Sequence, residues 1–189
     1  MSKRILMNIS IALFRGINVG GKNKLPMKEL VPVLEELGIR EIRTYIQSGN
    51  VIFRSPAADR AQLARTIGAA VKKSHGFEPM VLLVDPDRLE KAMQANPFPE
   101  GEAAGNTLHL GFLASVPPRP DREGIERLRA PSERFQLKGD VFYLHAPNGI
   151  GRSRLANGAE RLLGVPTTSR NCNTLSRLRE MARTEGGGG

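Results

Sequence analysis

The sequence predicts an α+β protein made of two ferredoxin-like halves, each a β-α-β-β-α-β unit with a mostly antiparallel sheet. Three observations carry this. Runs of β-type residues alternate with stretches of helical period in the order strand, helix, strand, strand, helix, strand, and that order occurs twice. In each half the two middle strands are joined by a short turn, at 47–50 and at 138–140. A Pro/Gly-rich stretch, 98–105, lies between the halves. The expected organisation is therefore 1–84 for the first half and 85–105 for a connecting helix and linker. Residues 106–185 form the second half with a C-terminal helix, and 186–189 a flexible tail.

The first strand is expected over 5–14. Met27, Leu30, Leu34 and Leu37 then recur at helical spacing, with Gly38 placed as a terminating glycine. Pro32 falls within this pattern. It lacks an N–H and costs about 3 kcal/mol in a helix interior. The helix is thus expected either to kink there or to begin near Val31 with Pro32 in its first turn. Runs 41–46 and 51–54 are β-rich and flank the 47–50 turn. Asp59 and Gln62 form a capping-box signature before a helix with Leu63, Ile67 and Val71 on one face. Lys72, Lys73 and His75 fill its last turn, and Gly76 follows. A strand at 79–84 closes the unit. Asp85-Pro86 opens a connecting helix, with Asp85 and Asp87 as a cap and a first-turn acid, and Asn96-Pro97 ends it.

In the second half Leu108, Leu110 and Phe112 alternate along a strand, and Val116-Pro117-Pro118-Arg119-Pro120 is a stiff connection. Asp121 caps a helix carrying Ile125 and Leu128. Phe135 and Leu137 lie on a strand that turns into 141–145. Ser153 caps a helix with Leu155, Ala159 and Leu162, ended by Gly164. A short extended piece at 165–169 precedes a last helix with Leu175, Leu178 and Met181.

The chain has 189 residues and a formal charge of +9. Such an excess favours nucleic acid, nucleotides or an acidic partner. The lone cysteine, Cys172, excludes an internal disulfide and fits a reducing cytoplasm. Met1-Ser2-Lys3-Arg4 is basic, but Asn8 and Ser10 interrupt the apolar run behind it, which reads as a strand and not as a signal peptide. No stretch is long enough to span a bilayer, so no membrane association is expected. No Cys/His spacing suggests zinc, and neither metal nor cofactor is expected.

One loop concentrates chemistry: Phe14-Arg15-Gly16-Ile17-Asn18-Val19-Gly20-Gly21-Lys22-Asn23-Lys24. It holds three glycines, three cations and two asparagines, and no carboxylate. Backbone N–H groups beside Arg15 and Lys22 suit an anion. In the predicted topology the first two strands run the same way, so this loop and the 47–50 turn leave the same sheet edge. That edge gathers Arg15, Gly16, Asn18, Gly20, Gly21, Lys22, Tyr45, Gln47, Ser48 and Asn50 as a candidate ligand-binding set, for a nucleic acid or a small anionic ligand. The plainer alternative is that Asn18 and Asn50 bond backbone groups in tight turns. Gly16 to Lys22 also satisfies G-x-x-x-x-G-K. Asn23 stands where a magnesium-ligating Ser or Thr belongs, and Leu25-Pro26 delays the helix, which argues against a nucleoside triphosphatase.

A second Gly-rich loop precedes a helix. Gly149, Gly151, Arg152, Ser153 and Arg154, with Arg170 and Asn171, form a candidate secondary anion site; a plain helix cap is the alternative. Cys172 is expected as a small buried residue. His75, His109 and His145 share no spacing and are expected at surfaces or edges; an enzymatic alternative, in which the first loop and turn hold a phosphorylated or carboxylated metabolite, would draw its acid or base from His145 or Tyr45. A third reading is a dimerising scaffold using an exposed strand edge.

Leu13-Phe14-Arg15-Gly16-Ile17-Asn18-Val19-Gly20-Gly21 and Thr44-Tyr45-Ile46-Gln47-Ser48-Gly49-Asn50-Val51 resemble the domain-of-unknown-function 1697 family. Asn96-Pro97-Phe98-Pro99, Tyr143-Leu144-His145, Gly149-Ile150-Gly151-Arg152-Ser153 and Thr168-Ser169-Arg170-Asn171 extend the resemblance. It implies a bacterial-type α+β protein on ferredoxin-like halves and supplies no activity. The family pattern has lysine at Arg154, a change of donor geometry, and tryptophan at Cys172, which removes a stacking surface.

Overall fold

The computed structural model describes residues 7–56 and 59–186. The first residues of the expected opening strand, and 187–189 of the expected tail, lie outside them. The elements are β1 (Asn8–Arg15), α1 (Met27–Glu36), β2 (Arg40–Tyr45), β3 (Asn50–Ser55), α2 (Arg60–His75), β4 (Met80–Val84), α3 (Pro86–Gln94) and α4 (Pro99–Ala103). There follow β5 (Leu108–Leu113), α5 (Arg122–Leu128), β6 (Arg134–Lys138), β7 (Val141–His145), α6 (Arg154–Leu163), β8 (Thr167–Asn171) and α7 (Cys172–Gly186). They build two antiparallel four-stranded sheets, ordered β2-β3-β1-β4 and β6-β7-β5-β8. The same strand order in both halves is the α+β, double ferredoxin-like architecture the element pattern predicts. The chain divides into two compact units, one up to Leu89 together with the chain from Leu178, the other Glu90–Arg177.

In the first unit one sheet face carries Ala12, Phe14, Val51, Phe53 and Leu83. They pack with Leu30 and Leu34 of α1 and Leu63, Ile67 and Val71 of α2. The period of two along the strands meets the helical period here, and both leave their apolar side on the same core. The opposite face of the sheet buries Ile11, Leu13 and Ile52. Arg43 pairs in register with Ile52, and its guanidinium donates to the Thr184 hydroxyl of α7 at 3.2 Å. In the second unit Leu113, Phe142 and Leu144 pack with Ile125 of α5 and Leu155, Ala159 and Leu162 of α6.

Local signals place the helix ends. Asp59, Asp121 and Ser153 each accept a bond from an N–H three residues on. Gly76 and Gly164 close α2 and α6 in the left-handed conformation. Only half of the Asp59–Gln62 capping box forms, since the Gln62 oxygen accepts instead from Arg65. Asp85 is a cap, accepting from the Arg88 N–H.

Three expectations change. α1 starts at Met27 and keeps Pro32 inside, so a start near Val31 is wrong. Burial of Met27, Leu30 and Leu34 outweighs the lost hydrogen bond, because Pro32 itself is exposed. Residues 98–105, read as a linker, contain α4, with Pro99 at its first position and Phe98, Gly101 and Gly105 buried. Gly101 is there for close approach: a Cβ on it would lie 2.8 Å from the His145 ring. The extended piece expected at 165–169 is the closing strand of the second half, as the order requires, but it is shifted to β8 (Thr167–Asn171) and pairs along β5.

Candidate functional site

The loop after β1 is a miniature hairpin. Asn18 N–H donates to the Asn23 carbonyl at 3.1 Å, and Lys22 N–H donates to the Val19 carbonyl at 3.1 Å. Gly20 and Gly21 between them have φ of 59° and 75°. Two consecutive positive values are the mirror-image turn that suits the twist of a β-hairpin. Among the described residues the N–H groups of Gly20 and Gly21 meet no protein acceptor. The finger so formed projects from the sheet edge where β1 and β2 both end, since Leu13 and Tyr45 both pair with Asn50.

Side chains root it. The Asn18 amide donates to the Leu25 carbonyl at 2.9 Å and the Gln47 carbonyl at 2.7 Å, and its oxygen accepts from Leu25 N–H at 2.8 Å. The Asn23 amide donates to the Gly16 carbonyl at 2.8 Å. Asn50, fully buried, donates to the Tyr45 carbonyl and the Ser48 hydroxyl. Phe14 N–H donates to Gly49 across the two loops. The Asn18–Gln47 bond, 29 positions apart in sequence, brings the loop and the turn together.

The candidate residues therefore divide. Asn18 and Asn50 hold backbone groups, as the plainer reading has it. Tyr45 is half-buried, on the sheet face of Asn50. Arg15, Gly16, Gly20, Gly21, Lys22, Gln47 and Ser48 are exposed at the edge, together with Lys24. The residue that sequence reading missed is Ile46. Read as a strand residue, it lies beyond β2 with φ of 51° and stands 51% exposed. A β-branched residue is a backbone outlier at such an angle. Val19, on the finger, is 69% exposed. The strong β propensity of isoleucine hid this, because it signals a strand and not a turn.

The second Gly-rich loop follows β7 at the edge where β8 ends, since Leu108 pairs with His145 and His109 with Asn171. Ser153 is buried and caps α6, and Asn171 accepts from Thr174 N–H at 2.9 Å at the start of α7. Gly149, with φ of 86°, closes a turn back to Ala146. Gly151, Arg152 and Arg154 are exposed. Arg170 pairs in register with Leu110, and burial pulls its guanidinium down to about 10. The plain cap accounts for Ser153 and Asn171. Cys172 is buried at the first position of α7.

His109 and His145 are not surface histidines. Both are buried, on β5 and β7. His109 bonds the Asn106 carbonyl, and burial lowers its pKa. The His145 ring stacks against Phe98, with Glu100 3.9 Å from Nδ1, and Glu100 pairs with Arg134. Burial, then the Arg134 charge, lowers the His145 pKa. His75 instead reaches Glu29. A lowered folded-state pKa means the unfolded chain binds more protons on falling pH. Their contribution is complete above the ordinary 6.5 and is lost as pH falls below it through the lower folded values. We expect the urea midpoint to drop between pH 7.5 and pH 5.5, above the carboxylate range; a flat profile would contradict this.

Among the described residues no group of three or more His, Cys, Asp or Glu is arranged to hold a metal ion, and no helix is long and apolar enough to cross a membrane.

The fold and the rooted finger define an α+β protein of two ferredoxin-like halves. The model of the DUF1697 family, a protein family of unknown function, matches residues 7–143, and the chain belongs to that family. The motifs at 149–153 and 168–171 lie beyond the matched residues. Among solved structures, the conserved bacterial protein SP0830 from Streptococcus pneumoniae is similar at 24% identity and a TM-score of 0.69. The likeness covers 94% of this chain and 99% of that one, and it supports the fold. No curated protein matches the chain.

Proposed function

We propose that the finger edge is an anion-binding surface and that its ligand is nucleic acid. One observation carries this reading: a carboxylate-free hairpin, rooted by Asn18 and Asn23, projects Lys22 and two unpartnered N–H groups beside Arg15 and Lys24. Backbone donors and cations on a fixed frame bind phosphate without first having to be ordered. Three exposed cations within ten positions, on a chain of formal charge +9, suit the repeated phosphates of a polymer. Within this unit the candidate base Tyr45 is half-buried, and the Ser48 hydroxyl accepts a hydrogen bond from the Asn50 amide, which favours binding over catalysis. The edge strand β2 carries Arg40, Glu41 and Arg43 and an irregular register between Arg40 and Arg43, devices that discourage strand addition. This counts against a scaffold acting through β2.

The test is a salt titration of binding to a mixed-sequence oligonucleotide duplex. Binding should weaken steeply with salt. Arg15→Ala and Lys22→Ala should each lower the slope of log K against log salt by about 1. Absence of binding at low salt, or slopes untouched by both changes, would overturn the reading.

A further inference from the structure

The finger edge carries something that phosphate binding does not need. Val19 and Ile46 are two of only three large hydrophobic side chains strongly exposed among the described residues. Both lie at this edge, each one residue from the Asn18–Gln47 bond that joins the loop to the turn. Ile46 is held there against its backbone preference, with φ of 51°. Asparagine or glycine would meet that angle at less cost. Bonds on either side fix it: Tyr45 accepts from Asn50, and Gln47 accepts from Asn18. A strained, outward-facing aliphatic residue that the surrounding structure holds in place belongs to the kind of feature that marks a functional site.

We infer that Val19 and Ile46 form an apolar wedge that enters between two unstacked bases of a kinked or bulged duplex, while Arg15, Lys22 and Lys24 hold the flanking phosphates. The inference rests on the nucleic-acid reading above and deepens it. Charge complementarity selects the partner: the two loops that present the aliphatic pair carry Arg15, Lys22 and Lys24, all on the first loop, and no carboxylate, which favours a polyanion over an acid-poor protein surface. Aliphatic wedges in a basic surround part base steps in just this division of labour, with cations on the backbone and an apolar side chain in the stack. A bulged or nicked duplex has already lost that stacking energy, so it is the preferred substrate.

The experiment compares two duplexes of equal length and charge, one fully paired and one with a central two-nucleotide bulge flanked by 2-aminopurine. The full-length chain should bind the bulged duplex at least tenfold more tightly, and the 2-aminopurine fluorescence should rise on binding as the base unstacks. Val19→Ser combined with Ile46→Asn, which keeps net charge, should bring the ratio of the two affinities close to one and abolish the fluorescence rise. Equal wild-type affinities without a fluorescence change would overturn the wedge and leave the phosphate-binding reading standing. Absence of binding to either duplex at low salt would overturn both. Concentration-dependent self-association of the wild type, lost in the double variant, would assign the aliphatic pair to a second copy of the chain and overturn the wedge.

Discussion

Asn18→Ala is expected to destabilise the first unit by about 3–4 kcal/mol. Three hydrogen bonds leave with the side chain, each worth about 1 kcal/mol net. The Leu25 N–H loses its acceptor beside a fully buried side chain, so part of the loss is the desolvation of an orphaned donor. Residue 18 also has φ of 54°, where alanine is less at ease than asparagine by about 1 kcal/mol. Asn18→Gly separates the two contributions, because it accepts the angle and still loses the bonds. Urea unfolding and exchange of the Leu25 amide report the outcome. If alanine and wild type differ by less than about 0.5 kcal/mol, the size of an ordinary surface change, then the finger is not rooted as described. The functional consequence follows from the same bonds. A finger detached from residues 25 and 47 presents its cations from a mobile loop, and ordering that loop then opposes binding.

Gly49→Ala should have a comparable effect through sterics. A Cβ at residue 49 would lie 2.6 Å from Ile17 Cδ1 and 2.6 Å from Phe14 Cβ. Phe14 and Ile17 are both buried, and Gly49 is tied to Phe14 N–H at 2.8 Å, so neither side can retreat. Overpacking of this kind costs about 1–3 kcal/mol, and the φ of 77° adds about 1–2 kcal/mol for any L side chain. Gly20→Ala is the control. Its φ is also positive, but a Cβ there would meet nothing within 4 Å. It should show the angular cost alone, about 1–2 kcal/mol. Equal losses at residues 20 and 49 would mean that close approach at Gly49 is not what joins the loop to the turn.

How much was legible follows the range of the forces involved. Asp59, Asp121 and Ser153 cap N–H groups three residues on, and Gly76 and Gly164 end helices with bonds four residues back. Those partners sit in the same short window as the signal, so composition reveals them. The shared direction of β1 and β2 was also readable, because β-α-β-β-α-β leaves few ways to cover one face of a sheet. Residues 98–105 misled because proline and glycine usually mark a loop. Here Pro99 occupies the first position of α4, and Gly101 lets that helix touch the His145 ring. The histidines misled as well. Imidazoles default to surfaces, yet central strands buried His109 and His145 once the sheet was covered.

The sequence alone determined that two similar α+β halves form, and that the first ends a strand in a basic, carboxylate-free loop. Caps, glycines and alternating apolar residues act within a turn or two of chain, and their energies are set before distant parts meet. Only the tertiary structure decided which groups at that edge face outward. Asn18 and Asn50 were drawn to backbone carbonyls 29 and 5 positions away, and Gly49 left the space that the Ile17 and Phe14 side chains fill. Those same contacts pushed Val19 and Ile46 into solvent, a placement that no local propensity of valine or isoleucine would select.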